Sequence, residues 1–127
     1  MSPEPHVDRP TAWIGHAGPI SVPDLSKGVA FYETLGLHPI HHHDDFAALQ
    51  LRGGTHLVLL AEDIDATGEK APFDLMVSDI AAYRDELVSA GLEPSAIESS
   101  GAHQLFHVCD PSGRAVMVLD SHVVGAA

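Results

Sequence analysis

VPDLSKGVAFYETLGLHP, running from Val22 to Pro39, decides the fold, because its pattern occurs twice in the chain. Val22 and Val77 stand 77 − 22 = 55 residues apart, and the same step carries Asp24 to Asp79, Gly36 to Gly91, Leu37 to Leu92 and Pro39 to Pro94. In each copy a strand ends in Val and an Asp offers a side-chain oxygen to the free N–H groups of a helix start. A Gly able to take left-handed backbone then closes the helix. Leu25, Val29 and Tyr32, joined by Phe31 and Leu35, form one broad apolar stripe in the first copy. Ile80, Tyr83, Leu87 and Ala90 form its counterpart in the second. Two copies at a fixed offset predict a duplicated fold.

Working outward, Ile14, Ile20 and Val22 alternate with Ala17, Pro19 and Ser21, which predicts a strand over roughly Gly15 to Val22. After the first helix, His38 to Asp44 reads as a strand ending in the polar turn His43-Asp44-Asp45. FAALQLRGGTHLVLLAED then reads as two strands joined at Arg52-Gly53-Gly54-Thr55. Glu62 to Ala71 is charged and turn-rich, the natural linker between halves. Phe73, Leu75 and Val77 repeat the first strand, Glu93 to Ser100 is a weak strand candidate, and HQLFHVCDPSGRAVMVLD is a hairpin turning at Asp110-Pro111-Ser112-Gly113. Each half is therefore βαβββ. The expected organisation is a lead-in over 1–12, a first module over 13–61, a linker over 62–71, a second module over 72–122 and a tail over 123–127. Leu57 to Leu60 and Ala115 to Leu119 are apolar on both faces, so one face packs under the helices and the other lines something else. The fold class is α+β, with curved mixed sheets around a concave cavity and helices outside.

The totals narrow the function. With 127 residues and 45% hydrophobic content the chain can bury a real core. No run of 18 apolar residues occurs, so no membrane partner is expected, and the first ten residues lack a signal peptide's apolar region. Cys109 is the only cysteine, which rules out an internal disulfide and fits a cytoplasmic setting. Six basic residues against 18 acidic ones, a net charge of −12, argue against nucleic acid.

Paired βαβββ modules, the Val22 to Leu37 stretch and the late DPSGRAVMV hairpin resemble the vicinal oxygen chelate superfamily. That superfamily includes glyoxalase I, extradiol dioxygenases, fosfomycin-resistance enzymes and bleomycin-resistance proteins. The resemblance covers nearly the whole chain after residue 12 and implies metal ligands on the first and last strands of each module, facing the concave side. Carried over by spacing, those positions here are Ala17, Val58, Pro72 and Met117. None suits a hard or borderline divalent metal, which takes imidazole or carboxylate.

Other residues carry chemistry of their own. His16 lies one position before Ala17, so alternation turns it away from the cavity unless a bulge rotates it back. In His41-His42-His43-Asp44-Asp45 only His41 and His43 share a face, and a solvated strand end is the plainer account. His56 shares the face of Val58 and Leu60, and Asp74 that of Pro72 and Met76, so both are candidates for ligand contact or for an acid–base pair. Ser21 is expected to face the same space. The hairpin at Asp110 is expected to put Gln104, Phe106 and Val108 with Met117, making Phe106 either a stacking wall for a flat ligand or a core residue, with His103, His107 and Cys109 on the other face. Cys109 reads as a packed residue.

The preferred expectation is a metal-free binding protein similar to bleomycin-resistance proteins, needing no cofactor. It would hold an apolar or cationic small organic molecule between modules, as a homodimer, through Ser21, His56, Val58, Asp74, Phe106 and Met117. The alternative is a lyase-, isomerase- or dioxygenase-like enzyme with a displaced Zn, Ni or Fe site drawn from His16, His41, His43 or His56.

Overall fold

The computed structural model describes residues 11–121. The expected tail at 123–127, and all of the lead-in before residue 11, lie outside the described residues. The first module runs β1 (His16–Val22), α1 (Leu25–Thr34), β2 (His38–His42), β3 (Phe46–Gln50) and β4 (His56–Ala61). The second runs β5 (Lys70–Val77), α2 (Ile80–Ser89), β6 (Glu98–Ser100), β7 (His103–Cys109) and β8 (Ala115–Asp120). The sheets have the same topology, β1-β4-β3-β2 and β5-β8-β7-β6, with the first and last strands of each module side by side and parallel. The chain is an α+β duplication of βαβββ.

Local chemistry explains why the helices begin and end together. Asp24 accepts from the Lys27 N–H at 3.1 Å, and Asp79 from the Ala82 N–H at 3.0 Å. Gly36 and Gly91 close the helices at φ +106° and +93°, where a side chain would be strained. Leu25, Val29, Phe31, Tyr32 and Leu35 are buried as the stripe requires, and Ile80 and Leu87 with them. Ala90 is exposed, because the helix has reached its C-cap there. Gly28 lets α1 lie directly on β1: a Cβ there would stand 2.9 Å from Val22 Cγ2.

The halves share one core, which runs from Ile20 and Leu59 through Tyr32 to Leu75, Phe106 and Val118. β1 and β5 lie against each other, and Tyr32 of α1 meets Phe73 of β5 with ring centroids 6.4 Å apart. The Tyr83 hydroxyl of α2 donates to the Leu35 carbonyl at the end of α1, at 2.5 Å. The second module begins inside the expected linker. Lys70 already belongs to β5, and buried Ala66 donates its N–H to the Ser112 carbonyl at 2.8 Å.

Candidate functional site

Strand register determines which side chains share a face, because residues directly opposite one another point the same way. On the first sheet, core-facing Leu57 and Leu59 of β4 are fully buried, so His56, Val58 and Leu60 face the concave side. β3 adds Phe46, opposite Leu60, Ala48, opposite Val58, and Gln50, opposite His56. β2 places His38 opposite Gln50 and His41 opposite Ala48. His43 stacks on Phe46 at 4.7 Å between centroids, and His41 on His43 at 6.1 Å.

In β1 the register slips between Ala17 and Ile20, where three residues of β1 span two of β4. This bulge corrects two expectations. Ala17 packs against the core, and the preceding His16 stands opposite His56 with its ring 5.9 Å away, edge to face. Beyond the bulge Ser21 lies opposite Leu60 and donates its hydroxyl to Glu62. His38, Gln50, His56 and His16 thus form one polar line across all four strands.

On the second sheet Val116 and Val118 are fully buried against the helix side, so Ala115, Met117 and Leu119 face the cavity. Met117 stands between Asp74 on β5 and His107 on β7. The expected place of Phe106 is corrected. It pairs with Val118, is fully buried, and lies 6.3 Å from the Tyr83 ring, so it belongs to the core under α2 and not to the face of Met117. The loop of the hairpin is five residues long, 110–114, because Cys109 pairs with Ala115. A four-residue turn at Asp110 to Gly113 would have inverted every side chain of β7. His107 is therefore on the cavity side with Met117, and a register shift in β5 between Lys70 and Asp74 puts Asp74, not Pro72, beside Met117.

Two hollows join these surfaces. One, about 190 Å³, is bordered by Lys70, Asp74, His107 and Met117. The other, about 650 Å³, lies at the seam of the modules between His16, Gly18 and Pro19 on one side and Pro72, Phe73 and Asp74 on the other. Asp74 borders both.

The divalent metal that the resemblance implies meets a poor donor set. Val58 and Met117 occupy the last-strand positions, and among the described residues no three His, Cys, Asp or Glu side chains come together closely enough to share an ion. His16 and His56 are a pair without a third partner of that kind. The described residues do not fit the metal.

A buried polar cluster holds the rim of the site. Arg114 donates from Nη1 to Asp110 Oδ2 at 3.0 Å and from Nη2 to the Ser21 carbonyl at 3.1 Å. Tyr32 and Ser112 also donate to Asp110, whose side chain is fully buried. Burial, and after it the Asp110 charge, raise the Tyr32 phenol well above its ordinary range. The cluster ties α1, the β7–β8 loop and the end of β1 together, so it fixes Ser21 from behind.

A model of the Glyoxalase/Bleomycin resistance protein/Dioxygenase superfamily matches residues 13–118. No curated protein matches the chain by sequence. Among solved structures the chain is similar to a bleomycin resistance determinant encoded on the transposon Tn5, at 21% identity and TM-score 0.72 over 88% of this chain and 100% of that one. It is similar to a bleomycin-binding protein complexed with bleomycin, at 20% identity and TM-score 0.69 over 87% and 98%. It is equally similar in fold to lactoylglutathione lyase from Agrobacterium tumefaciens, at 16% identity and TM-score 0.72 over 91% and 98%. At these identities the likeness is one of fold. No described helix is long and apolar enough to cross a membrane.

Proposed function

This chain belongs to the Glyoxalase/Bleomycin resistance protein/Dioxygenase superfamily, and we propose that within it the protein is a metal-free binder of a small organic molecule. The observation that carries this is the pair of residues at the centres of the two concave faces. Val58 and Met117 supply methyl and thioether surface where a metal-dependent relative needs donors, and the flanking His16, His56, Asp74 and His107 supply polar anchors. Apolar walls with a few placed polar groups are what capture of an organic molecule requires. Met117 suits a ligand of irregular outline, since its side chain is flexible and polarisable.

The protein acts as a homodimer in this proposal. Ile14 and Met76 are 64% and 59% exposed, large apolar side chains that a second copy would cover. Both border a groove of about 680 Å³ at the seam, walled also by Leu37, Leu51, Phe73 and Tyr83. A cytoplasmic location belongs to the same proposal and rests on the single, unpaired cysteine.

The test is thermal stabilisation by a library of small aromatic and aliphatic molecules, with a chelator present throughout. Hits are expected to raise the melting temperature of the wild type and not of Val58→Glu. Hits that appear only after a divalent metal is added would overturn the proposal.

A further inference from the structure

Resting on the binding function proposed above, we infer the class of ligand: a flat aromatic carboxylate lying on the concave face of the first module. Its acid group meets the line His38, Gln50, His56 and His16, and its rings run along the strands toward Phe46.

Register carries the inference. Gln50 has His38 on one side and His56 on the other, and His56 has His16 beyond it. A neutral imidazole keeps one N–H donor and a glutamine amide offers two, so this line presents donors on every strand with no carboxylate within it. Two residues along the strands, Ala48 and Val58 form a small apolar floor. Two residues further, the stacked rings of His43 and Phe46 provide a wall that packs against an aromatic edge. At about 3.3 Å per residue, the donor line and the Phe46 stack are about 13 Å apart, room for two fused rings and a carboxylate with its hydrogen-bond distances.

Charge sets the direction. The chain carries −12, yet the acids near this floor stand at its margins. Glu62 is engaged by Ser21, Asp44 and Asp45 lie in the turn beyond His43, and Asp74 lies across the seam from His16. A cationic ligand would meet imidazole and amide donors where it needs counter-ions. An anion at the donor line is repelled from the turn at one end and from Asp74 at the seam, so its acid group settles nearest His56 and Gln50.

Calorimetry with a chelator present tests this, using 2-naphthoate, benzoate and 2-naphthylmethylammonium as probes. Naphthoate is expected to bind about tenfold or more tightly than the ammonium probe, and His56→Ala to weaken it about tenfold, as loss of a hydrogen bond to a charged group does. His56→Gln keeps a donor and is expected to stay close to the wild type, which covers an alanine variant that folds poorly. Phe46→Ala should weaken naphthoate and leave benzoate nearly unchanged. Asp74→Asn should tighten naphthoate by about three- to fivefold through loss of a like charge. Naphthoate that does not bind, or that binds equally well to His56→Ala, overturns the ligand class. So does an ammonium probe that binds as well as naphthoate; if Val58→Glu abolishes that binding, the site proposed above survives and only the ligand class falls. Naphthoate that binds only after metal is added overturns the metal-free proposal itself.

Discussion

The Tyr32 hydroxyl donates to Asp110 Oδ2 at 2.7 Å, joining the first helix to a loop 78 residues away in the other module. With Arg114 and Ser112 on the same carboxylate, this contact makes the two halves one cooperative unit. It is also buried, so its loss leaves a charged acceptor short of a donor away from water.

Tyr32→Phe is therefore expected to lower unfolding free energy by about 2 kcal/mol at neutral pH, measured by urea denaturation. The pH dependence follows from the sign of the shift. The native phenol resists ionisation above its ordinary value of 10.0, so its contribution is complete below pH 10 and is lost as the pH climbs above it, where the unfolded chain ionises first. Tyr83, pushed up to about 12 by burial and then by Glu86, adds loss between pH 10 and about 12. Tyr32→Phe should show a shallower alkaline slope than the wild type, by up to about 1.4 kcal/mol per pH unit. Equal slopes would show that Tyr32 is not held neutral.

How much of this was legible in the sequence depends on how local each signal is. Asp24, Asp79, Gly36 and Gly91 act within one turn of their helices, and all four do what their residue types imply. The faces of β4 and β8 followed from the superfamily resemblance, which puts Val58 and Met117 on the concave side, and from alternation, which carries their neighbours with them. The faces of β1 and β7 did not, because alternation cannot count an extra residue. Gly18, at φ +87° with a would-be Cβ only 2.9 Å from the Ile20 nitrogen, was the available sign of the bulge that brings His16 beside His56. In β7 the sign was Asp110, whose carboxylate accepts from the Ser112 and Arg114 N–H groups and so stretches the loop through residue 114. The line from His38 to His16 was invisible for a different reason: it exists only once three strand pairings are known.

Gly113 tests that loop. It sits at φ +91°, and a Cβ would stand 2.5 Å from Thr67 Oγ1 and 3.0 Å from Thr67 Cα. Gly113→Ala is expected to cost about 2 kcal/mol or more, from backbone strain and overlap with the inter-module segment together, read as a lower urea midpoint. A neutral effect would place the loop differently.

Met117→Glu tests the second concave face. The new carboxylate would stand between Asp74 and His107, completing a three-donor set where a thioether was. Calorimetry should show zinc or nickel binding gained and His107→Ala removing it again. A variant that binds metal no better than the wild type would mean that these three positions do not converge.

Met76→Glu tests assembly. Light scattering of the wild type should give the mass of a dimer, and the substitution should shift it toward the monomer, because a charge would have to be buried against an apolar surface. A monomeric wild type at micromolar concentration would reject the dimer.

A concave face that works without a metal leaves the untagged protein metal-free, and its metal content is the decisive measurement. The protein is incubated with excess zinc, nickel and ferrous iron, passed through gel filtration and measured by inductively coupled plasma mass spectrometry. Val58 and Met117 at the two face centres predict metal far below one equivalent per chain, with naphthoate binding unchanged by the treatment. One tightly held equivalent, lost in His16→Ala or His56→Ala, would contradict the account.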